Sequence, residues 1–349
     1  MTRLRIGVPA PLLGIEPAGG HGKVWQRTLA CLAQRADIEE LVALGGRRRG
    51  LVRRGRLRRG RPDVVLADGH GELPETNVPV VAVIHEVGWH TPPLRALLHP
   101  AFLAGIEERT ERAVRMAARV ITPSESSRRD VAGLYDLKPA RVHVVPYGVD
   151  ATFSAGPRGG VGTVREPYVL FAAMLHPRKN LEVLRQAMAL LAGEGLGHRL
   201  VVAGRPAADG SDVEAIARAA AADIPGAAGR VIFVGEVSDA DLAALMAGAA
   251  AYCLPSLYEG FGLTALEAMA CGTPVVVSDR GALSEVVGDA GLVVAPEPDA
   301  VAGALRAVLS DPERARQLRK AGPERARRFS WERTADGWLD VARAAAGER

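Results

Sequence analysis

At 349 residues, with 48% hydrophobic and 24% charged side chains, the chain has a globular composition and the length of two ordinary domains, each able to bury a core. Cys31, Cys253 and Cys271 are far apart or in apolar settings, so neither a disulfide framework nor a zinc site is suggested, and no uninterrupted apolar span reaches membrane length, so a cytoplasmic chain is expected. Lys and Arg outnumber Asp and Glu by 44 to 40, a formal net charge of +4, and nucleic acid is not an expected partner because aromatics are not interleaved with the basic residues.

In chain order, short apolar runs at Arg5–Pro9, Leu41–Leu44, Val64–Leu66, Val80–Ile84, Val120–Thr122 and Val142–Val145 alternate with helical Ala/Leu/Arg-rich segments. This is the rhythm of a doubly wound parallel sheet. Gly19-Gly20-His21-Gly22 follows the first run and precedes a helix expected over Lys23–Ala33, so Gly19 and Gly20 let a phosphate or an acceptor come close. Gly22-Lys23 is not a P-loop, because Pro17 stands at the first glycine position and Val24 replaces the required hydroxyl. Nine arginines fall between Arg47 and Arg61. They read as a solvated segment between two strands, or as a peripheral contact with an anionic membrane, to which each basic residue near the lipid contributes about 1 kcal/mol. His85 ends the run Val80–Ile84, at the carboxyl edge of a strand where ligands of α/β sheets bind. Ser124, in Thr-Pro-Ser-Glu-Ser-Ser-Arg, suits a helix cap.

The Gly/Pro-rich stretch 151–167 reads as a linker, after which the rhythm repeats. The second set of runs is Tyr168–Ala172, Leu200–Ala203, Val231–Val234, Ala251–Leu254, Val275–Ser278 and Leu292–Val294. The expected architecture is α/β, with two Rossmann-like doubly wound domains facing a central cleft. Arg178 and Lys179, after the first of these runs, offer a fork of donors and a point charge suited to a pyrophosphate, and Arg205 is a further candidate for the same region. Asp239-Ala240-Asp241 has the form of a metal-binding Asp-x-Asp, but it follows Ser238 and opens an apolar-periodic run, so helix capping explains it and no metal site is expected.

Glu259-Gly260-Phe261-Gly262-Leu263-Thr264 and Glu267 carry the most information. Glu259 lies in a loop after a buried strand, Gly260 and Gly262 allow close approach of a ligand, and Leu263, Leu266 and Ala270 recur at helical spacing until Gly272 and Pro274. A helix N-terminus attracts phosphate, and two carboxylates beside it accept hydrogen bonds from hydroxyls such as those of a sugar and a ribose.

The run from Glu259 through Glu267 to Cys271-Gly272-Thr273-Pro274-Val275-Val276 closely resembles the two-glutamate signature of the family-4 retaining glycosyltransferases, which have the GT-B fold. The loop Gly19-Gly20, the strand ending at His85, the segment around Ser124, Ser127 and Arg128, the run Pro146-Tyr147-Gly148-Val149-Asp150 and the loop His176–Asn180 are similar to family segments at lower weight. The resemblance implies an acceptor-binding domain over 1–155, a nucleotide-sugar domain over 165–330, and a terminal helix, 331–349, packing back on the first domain. It implies that Glu259 and the backbone of Gly260, Phe261, Gly262, Leu263 and Thr264 hold the donor sugar, that Glu267 binds ribose, and that His85 faces the donor sugar. Met174 stands where the family often has an arginine, and Arg178 is placed to compensate. Catalysis is then carried by His85, Glu259, Lys179 and Arg178.

The expected activity is retaining, metal-independent transfer of a hexose-type sugar from a UDP- or GDP-sugar to a hydroxyl of a glycan, a lipid-linked glycan or a small metabolite. No cofactor is expected beyond the donor substrate. A nucleotide-sugar epimerase of related fold and a non-catalytic sugar-nucleotide binder are the alternatives.

Overall fold

The computed structural model describes residues 3–13, 19–44, 61–156, 164, 167–207 and 213–347. All of the arginine cluster except the exposed Arg61 lies outside the described residues, as do residues 157–163 of the expected linker.

Among the described residues twelve strands form two parallel six-stranded sheets. The first contains β1 (Leu4–Pro9), β2 (Ile38–Leu44), β3 (Val64–Asp68), β4 (Val80–Val83), β5 (Arg119–Thr122) and β6 (Val142–Val144), in the order β2-β1-β3-β4-β5-β6. The second contains β7 (Tyr168–Ala172), β8 (Arg199–Ala203), β9 (Val231–Gly235), β10 (Ala251–Leu254), β11 (Val275–Ser278) and β12 (Leu292–Val294), in the order β12-β11-β10-β7-β8-β9. Each strand overlaps one of the twelve apolar runs. Helices on both faces of a parallel sheet bury its central strands from both sides, so β4, β7 and β10 are buried throughout and carry no polar alternation.

The second sheet has the Rossmann order, with its reversal between β7 and β10, and the first sheet reverses between β1 and β3. Loops leaving the carboxyl ends of those strands border the crevice in which open α/β sheets bind ligands. The segments that follow β7 and β10 carry Arg178, Lys179 and Glu259. Those that follow β1, β3 and β4 carry His21, His70 and His85.

The compact units are not consecutive stretches of chain. One comprises Met1–Val87, Pro100–Gly148 and Phe329–Arg349, the other Gly88–His99 and Val149–Arg328. The first boundary therefore falls at Gly148 rather than 155, and Gly88–His99 departs from the expected 1–155 domain. Gly88 lies so close to Tyr258 that a Cβ there would meet its ring at 2.5 Å.

Within the first unit the terminal helix Trp331–Gly347 packs against the helix Gly19–Leu32. Trp338 meets Trp25 edge to face at 4.8 Å between centroids, both side chains fully buried. Gly148 is required beside this helix, because a Cβ would stand 2.2 Å from the Trp331 backbone nitrogen. We expect Trp338→Ala to cost about 3–5 kcal/mol, read as a lower urea midpoint, because an indole-sized cavity cannot collapse between two packed helices.

After β1 and a short helix, Ala10–Leu13, the helix expected from Lys23 begins at Gly19. Glycine weakens a helix by roughly 0.5–1 kcal/mol per residue. Burial of Gly22, Lys23, Val24 and Trp25 offsets this. Gly19 and Gly20 thus form the helix's first turn rather than a loop before it, and space is open where a Gly20 side chain would project.

Candidate active site

In the second unit β7 ends at Ala172 and the chain returns through a short 3-10 turn, Pro177–Lys179. The His176 side chain accepts the Arg178 N–H at 3.0 Å, and Asn180 follows in the left-handed region with φ 58°. These contacts aim Lys179 at the loop that leaves β10. Its Nζ lies 2.6 Å from Glu259 Oε1, which also accepts from the Ser256 hydroxyl at 2.7 Å. Arg178 adds a guanidinium nitrogen 3.6 Å from Glu259 Oε2 and donates to the Tyr258 carbonyl at 3.0 Å. Lys179 and Glu259 are both buried. A buried ion pair of this kind is kept by geometry, since losing either partner strands a charge.

The Glu259 main chain is pinned from the other side. Its carbonyl accepts the Ala282 N–H at 2.8 Å, across a turn in which Gly281 has φ 63°. Gly262, at φ 98°, starts the helix Leu263–Ala270, so the first turn of this helix opens on the Glu259 loop. Glu267 lies inside that helix and is 1% exposed. The buried Tyr252 hydroxyl reaches Thr264 Oγ1 at 2.7 Å and the Ala172 carbonyl at 2.9 Å, tying the helix start to β7. Burial first, with Glu259 and Glu267 adding to it against the opposing Thr264 hydrogen bond, holds the Tyr252 phenol well above its ordinary pKa. Arg205 follows β8 and pairs with Glu236 at 3.1 Å. Asp239 and Asp241 open a helix capped by Ser238, whose hydroxyl oxygen accepts the Asp241 N–H at 3.1 Å, as expected from the sequence. Sequence reasoning gave no role to Ser256, Tyr252 or Gly281, although Ser256 and Tyr252 border the signature.

In the first unit His85, 3% exposed, follows β4. Its ring stacks on His21 at 4.0 Å between centroids and lies 5.7 Å from His70. Its Nδ1 is 2.5 Å from the Tyr147 hydroxyl, and its Nε2 is 3.9 Å from Asp68 Oδ1. Asp68 accepts the His70 N–H at 2.9 Å, while the His70 ring contacts Thr110 Oγ1 at 3.1 Å. Ser124 caps the helix Glu125–Leu134 through the Ser127 N–H, and the Ser127 hydroxyl lies 3.4 Å from the His85 carbonyl. Asp68 and His70 were missed, yet Asp68 ends β3 and His70 lies two residues beyond it, as His85 follows the neighbouring strand, and the strand-edge argument applies to all three. His21 is brought to them by the helix start at Gly19.

Burial, then the neighbouring imidazoles of His21 and His70, hold His85 well below the ordinary histidine pKa. Burial likewise lowers His70 to about 4, against the opposing pull of Asp68. Both rings are therefore neutral in the folded state at pH 7, while an unfolded histidine takes up a proton near 6.5. Their contribution to stability is present above pH 6.5 and is lost as pH falls toward the folded values. Between pH 6.5 and about 4, unfolding should become easier by up to about 1.4 kcal/mol per pH unit from His70, with His85 acting in the same direction. Urea titrations over that window should show a shallower loss in His70→Gln than in the wild type.

Residues 162–325 match the family described as glycosyl transferases group 1, and residues 43–153 match glycosyltransferase family 4. The chain is 35% identical over 302 residues to the MMP alpha-(1->4)-mannosyltransferase of Mycolicibacterium hassiacum, covering 80% of this chain and 69% of that protein. The chain belongs to glycosyltransferase family 4. A second family-4 relative, the D-inositol 3-phosphate glycosyltransferase of Acidothermus cellulolyticus, is 35% identical over 249 residues, covering 68% of this chain and 55% of that protein. The chain thus spans between about half and just over two thirds of the length of these curated relatives. Among solved structures, sucrose-phosphate synthase from Thermosynechococcus elongatus superimposes with a TM-score of 0.77 at 22% identity, covering 99% of this chain and 100% of that one. Anabaena HepE, in complex with UDP and glucose, gives 0.68 at 16% identity, covering 99% of each chain. The family-4 chain has the GT-B fold, two parallel α/β sheets shared with glycosyltransferases. Among its described residues no helix is long and apolar enough to cross a membrane.

Proposed function

We propose that this family-4 chain transfers a hexose-type sugar from a UDP- or GDP-sugar to a hydroxyl of a sugar or polyol acceptor, with retention at the anomeric carbon and without a metal ion. The observation that carries the reading is the Arg178–Lys179–Glu259 cluster, at the strand-order reversal of a Rossmann sheet and beside the first turn of the helix Leu263–Ala270. A diphosphate leaving group develops negative charge, and fixed cations in a dry site stabilise it more than water does. An ammonium has three N–H donors, so Lys179 is able to keep Glu259 while meeting a phosphate.

In this reading Lys179, the guanidinium of Arg178 and the helix start from Gly262 to Thr264 share the diphosphate, and the two cations take the place a metal holds in other sugar transferases. Glu259, oriented by Lys179 and Ser256, accepts hydrogen bonds from donor-sugar hydroxyls, with the Gly260–Leu263 backbone beside it. Glu267 accepts from the ribose. His85 meets a sugar hydroxyl, and Gly19 and Gly20 give an acceptor room to approach. The named activities of the two curated relatives, on MMP and on D-inositol 3-phosphate, favour a sugar or polyol acceptor.

Thermal melting against a panel of nucleoside diphosphates and nucleotide sugars tests the donor assignment. A ligand at 100 times its Kd should stabilise the fold by about 2.7 kcal/mol. One base should stand out, with stabilisation unchanged by a chelator. No response to any member of the panel would contradict the reading, and a response abolished by the chelator would contradict metal independence.

A further inference from the structure

We infer that a pocket at the amino end of the second sheet binds a compact organic acid, one carboxylate on a short apolar body, apart from the candidate active site. All of its lining residues belong to the second unit, and the inference does not rest on the sugar-transfer reading.

The pocket has a volume of about 300 Å³. Ligand pockets span roughly 300–1,000 Å³, so this one suits a small molecule and not a nucleotide sugar. One wall is formed by His198 and Ala250, which immediately precede β8 and β10. The other is formed by the end of the helix Pro298–Leu309 and the first turns of the helix Pro312–Ala326. The loops of Lys179 and Glu259 follow the opposite, carboxyl ends of β7 and β10. β10, four residues long, puts about 13 Å of strand between the two ends. The pocket is therefore a second site and not an arm of the first.

Two arginines give the lining its charge. Arg319 is fixed in place, donating to the carbonyl of Ala249 at 2.9 Å and to that of Gly272 at 3.3 Å. A guanidinium keeps its proton at any physiological pH, and carbonyl dipoles orient it without removing its charge. Arg316 gives its Nε and one Nη to Glu313, at 2.9 and 2.7 Å. With five N–H donors on each guanidinium, the other Nη of Arg316 is left to meet a ligand. Glu313 balances Arg316, so the three side chains together keep one positive charge, which a monoanion matches and a dianion exceeds. Arginine forks also fit the paired oxygens of a carboxylate. His198 adds no third cation, because burial lowers its pKa and the ring is neutral at pH 7. Nor does the helix N-terminus supply the anion site, since Asp311 already accepts the N–H groups of Glu313 at 2.9 Å and Arg314 at 3.0 Å. Beside the arginines lie Val308, Leu309 and Ala315, an apolar surface that a bare inorganic anion leaves unused. An acid with a short hydrocarbon or aromatic body covers that surface and reaches the arginines at once.

The test is calorimetric titration of the full chain with benzoate and hexanoate, with ¹³C-methyl NMR of Val, Leu and Ala to locate the site. The comparison probes are benzamide and hexanamide, which lack the charge, acetate, which lacks the apolar body, and phenyl phosphate, a dianion. At least one of the two acids should bind and shift the Val308, Leu309 and Ala315 methyls, with its amide and acetate weaker by at least about tenfold. Arg316→Gln, at an exposed position, should weaken the acid at least about fivefold, and Ala315→Phe, which fills the pocket, should abolish the response. Melting temperature shows whether each variant is folded, and Arg316→Gln carries the test if Ala315→Phe is not. No methyl response to either acid overturns the inference. So does equal binding of an acid and its amide, or binding that a folded variant leaves unchanged. Tighter binding of phenyl phosphate overturns the assignment to a carboxylate, and displacement of the acid by nucleoside diphosphate overturns its separation from the candidate active site.

Discussion

Replacing Lys179 by Met should lower nucleoside diphosphate release at saturating donor by about 10²–10³-fold, the effect of removing one preorganised charge-stabilising donor, equivalent to roughly 2.7–4 kcal/mol of transition-state stabilisation. The same change strands Glu259 in a buried position, because its Oε1 loses the Nζ partner at 2.6 Å and keeps only Ser256, while Arg178 remains 3.6 Å from Oε2. Breaking a buried pair on one side costs about 3–5 kcal/mol of stability. A loss of activity in the single variant would therefore mix chemistry with unfolding. The double variant Lys179→Met with Glu259→Gln separates them, since neutralising both partners removes the stranded charge. We expect the double variant to recover most of the lost melting temperature and none of the lost turnover. Recovery of both would make the pair a structural tie only, and near-normal turnover in Lys179→Met would remove the lysine from the chemistry.

Gly281→Ala should be nearly as damaging, although Gly281 touches no substrate in the proposed reaction. A Cβ at this position would stand 2.2 Å from the Glu259 carbonyl oxygen and 2.9 Å from its nitrogen. Either the turn or the Glu259 loop has to move, and the Ala282 N–H bond to that carbonyl is lost with it. The left-handed conformation adds about 1–2 kcal/mol for any residue with a Cβ. Gly226→Ala is the matched control, because its φ of 73° carries the same backbone strain and nothing lies within 4 Å of the added methyl. We expect both variants to lose a similar increment of stability from φ, and Gly281→Ala alone to lose at least tenfold in turnover. Equal activity in the two variants would show that the exact position of the Glu259 main chain is unimportant.

These two residues also mark what could be read from the sequence. Glu259 was legible because glycines, a helix start and a second carboxylate surround it within nine residues. Gly281 was not, because its importance lies in a close approach across a loop. All twelve strands among the described residues were legible because a parallel sheet covered on both faces demands continuous apolar runs, as in Val80–Val83 and Tyr168–Ala172. The order of the strands was not, and it is that order which sets the loop of Lys179 beside the loop of Glu259 at a reversal point. The helix at Gly19 began earlier than glycine content suggested, because tertiary burial outweighs a propensity cost of this size. His21, His70 and His85 are spread over 65 positions of the sequence and no periodicity links them, yet a helix start and two loops, following β1, β3 and β4, bring the rings together. The segment Gly88–His99 was assigned by chain order to the first unit and belongs to the second, since a local pattern does not reveal which core a connecting segment joins.

The central claim is sugar transfer from a nucleotide donor with retention, and ¹H NMR of the reaction mixture tests it most directly. Incubation of UDP-glucose or GDP-mannose with a polyol acceptor panel should consume the donor's anomeric signal and produce, in equal amount, nucleoside diphosphate and a new glycoside signal of the same anomeric configuration. A product of the opposite configuration, or isomerised donor without nucleoside diphosphate, would contradict it.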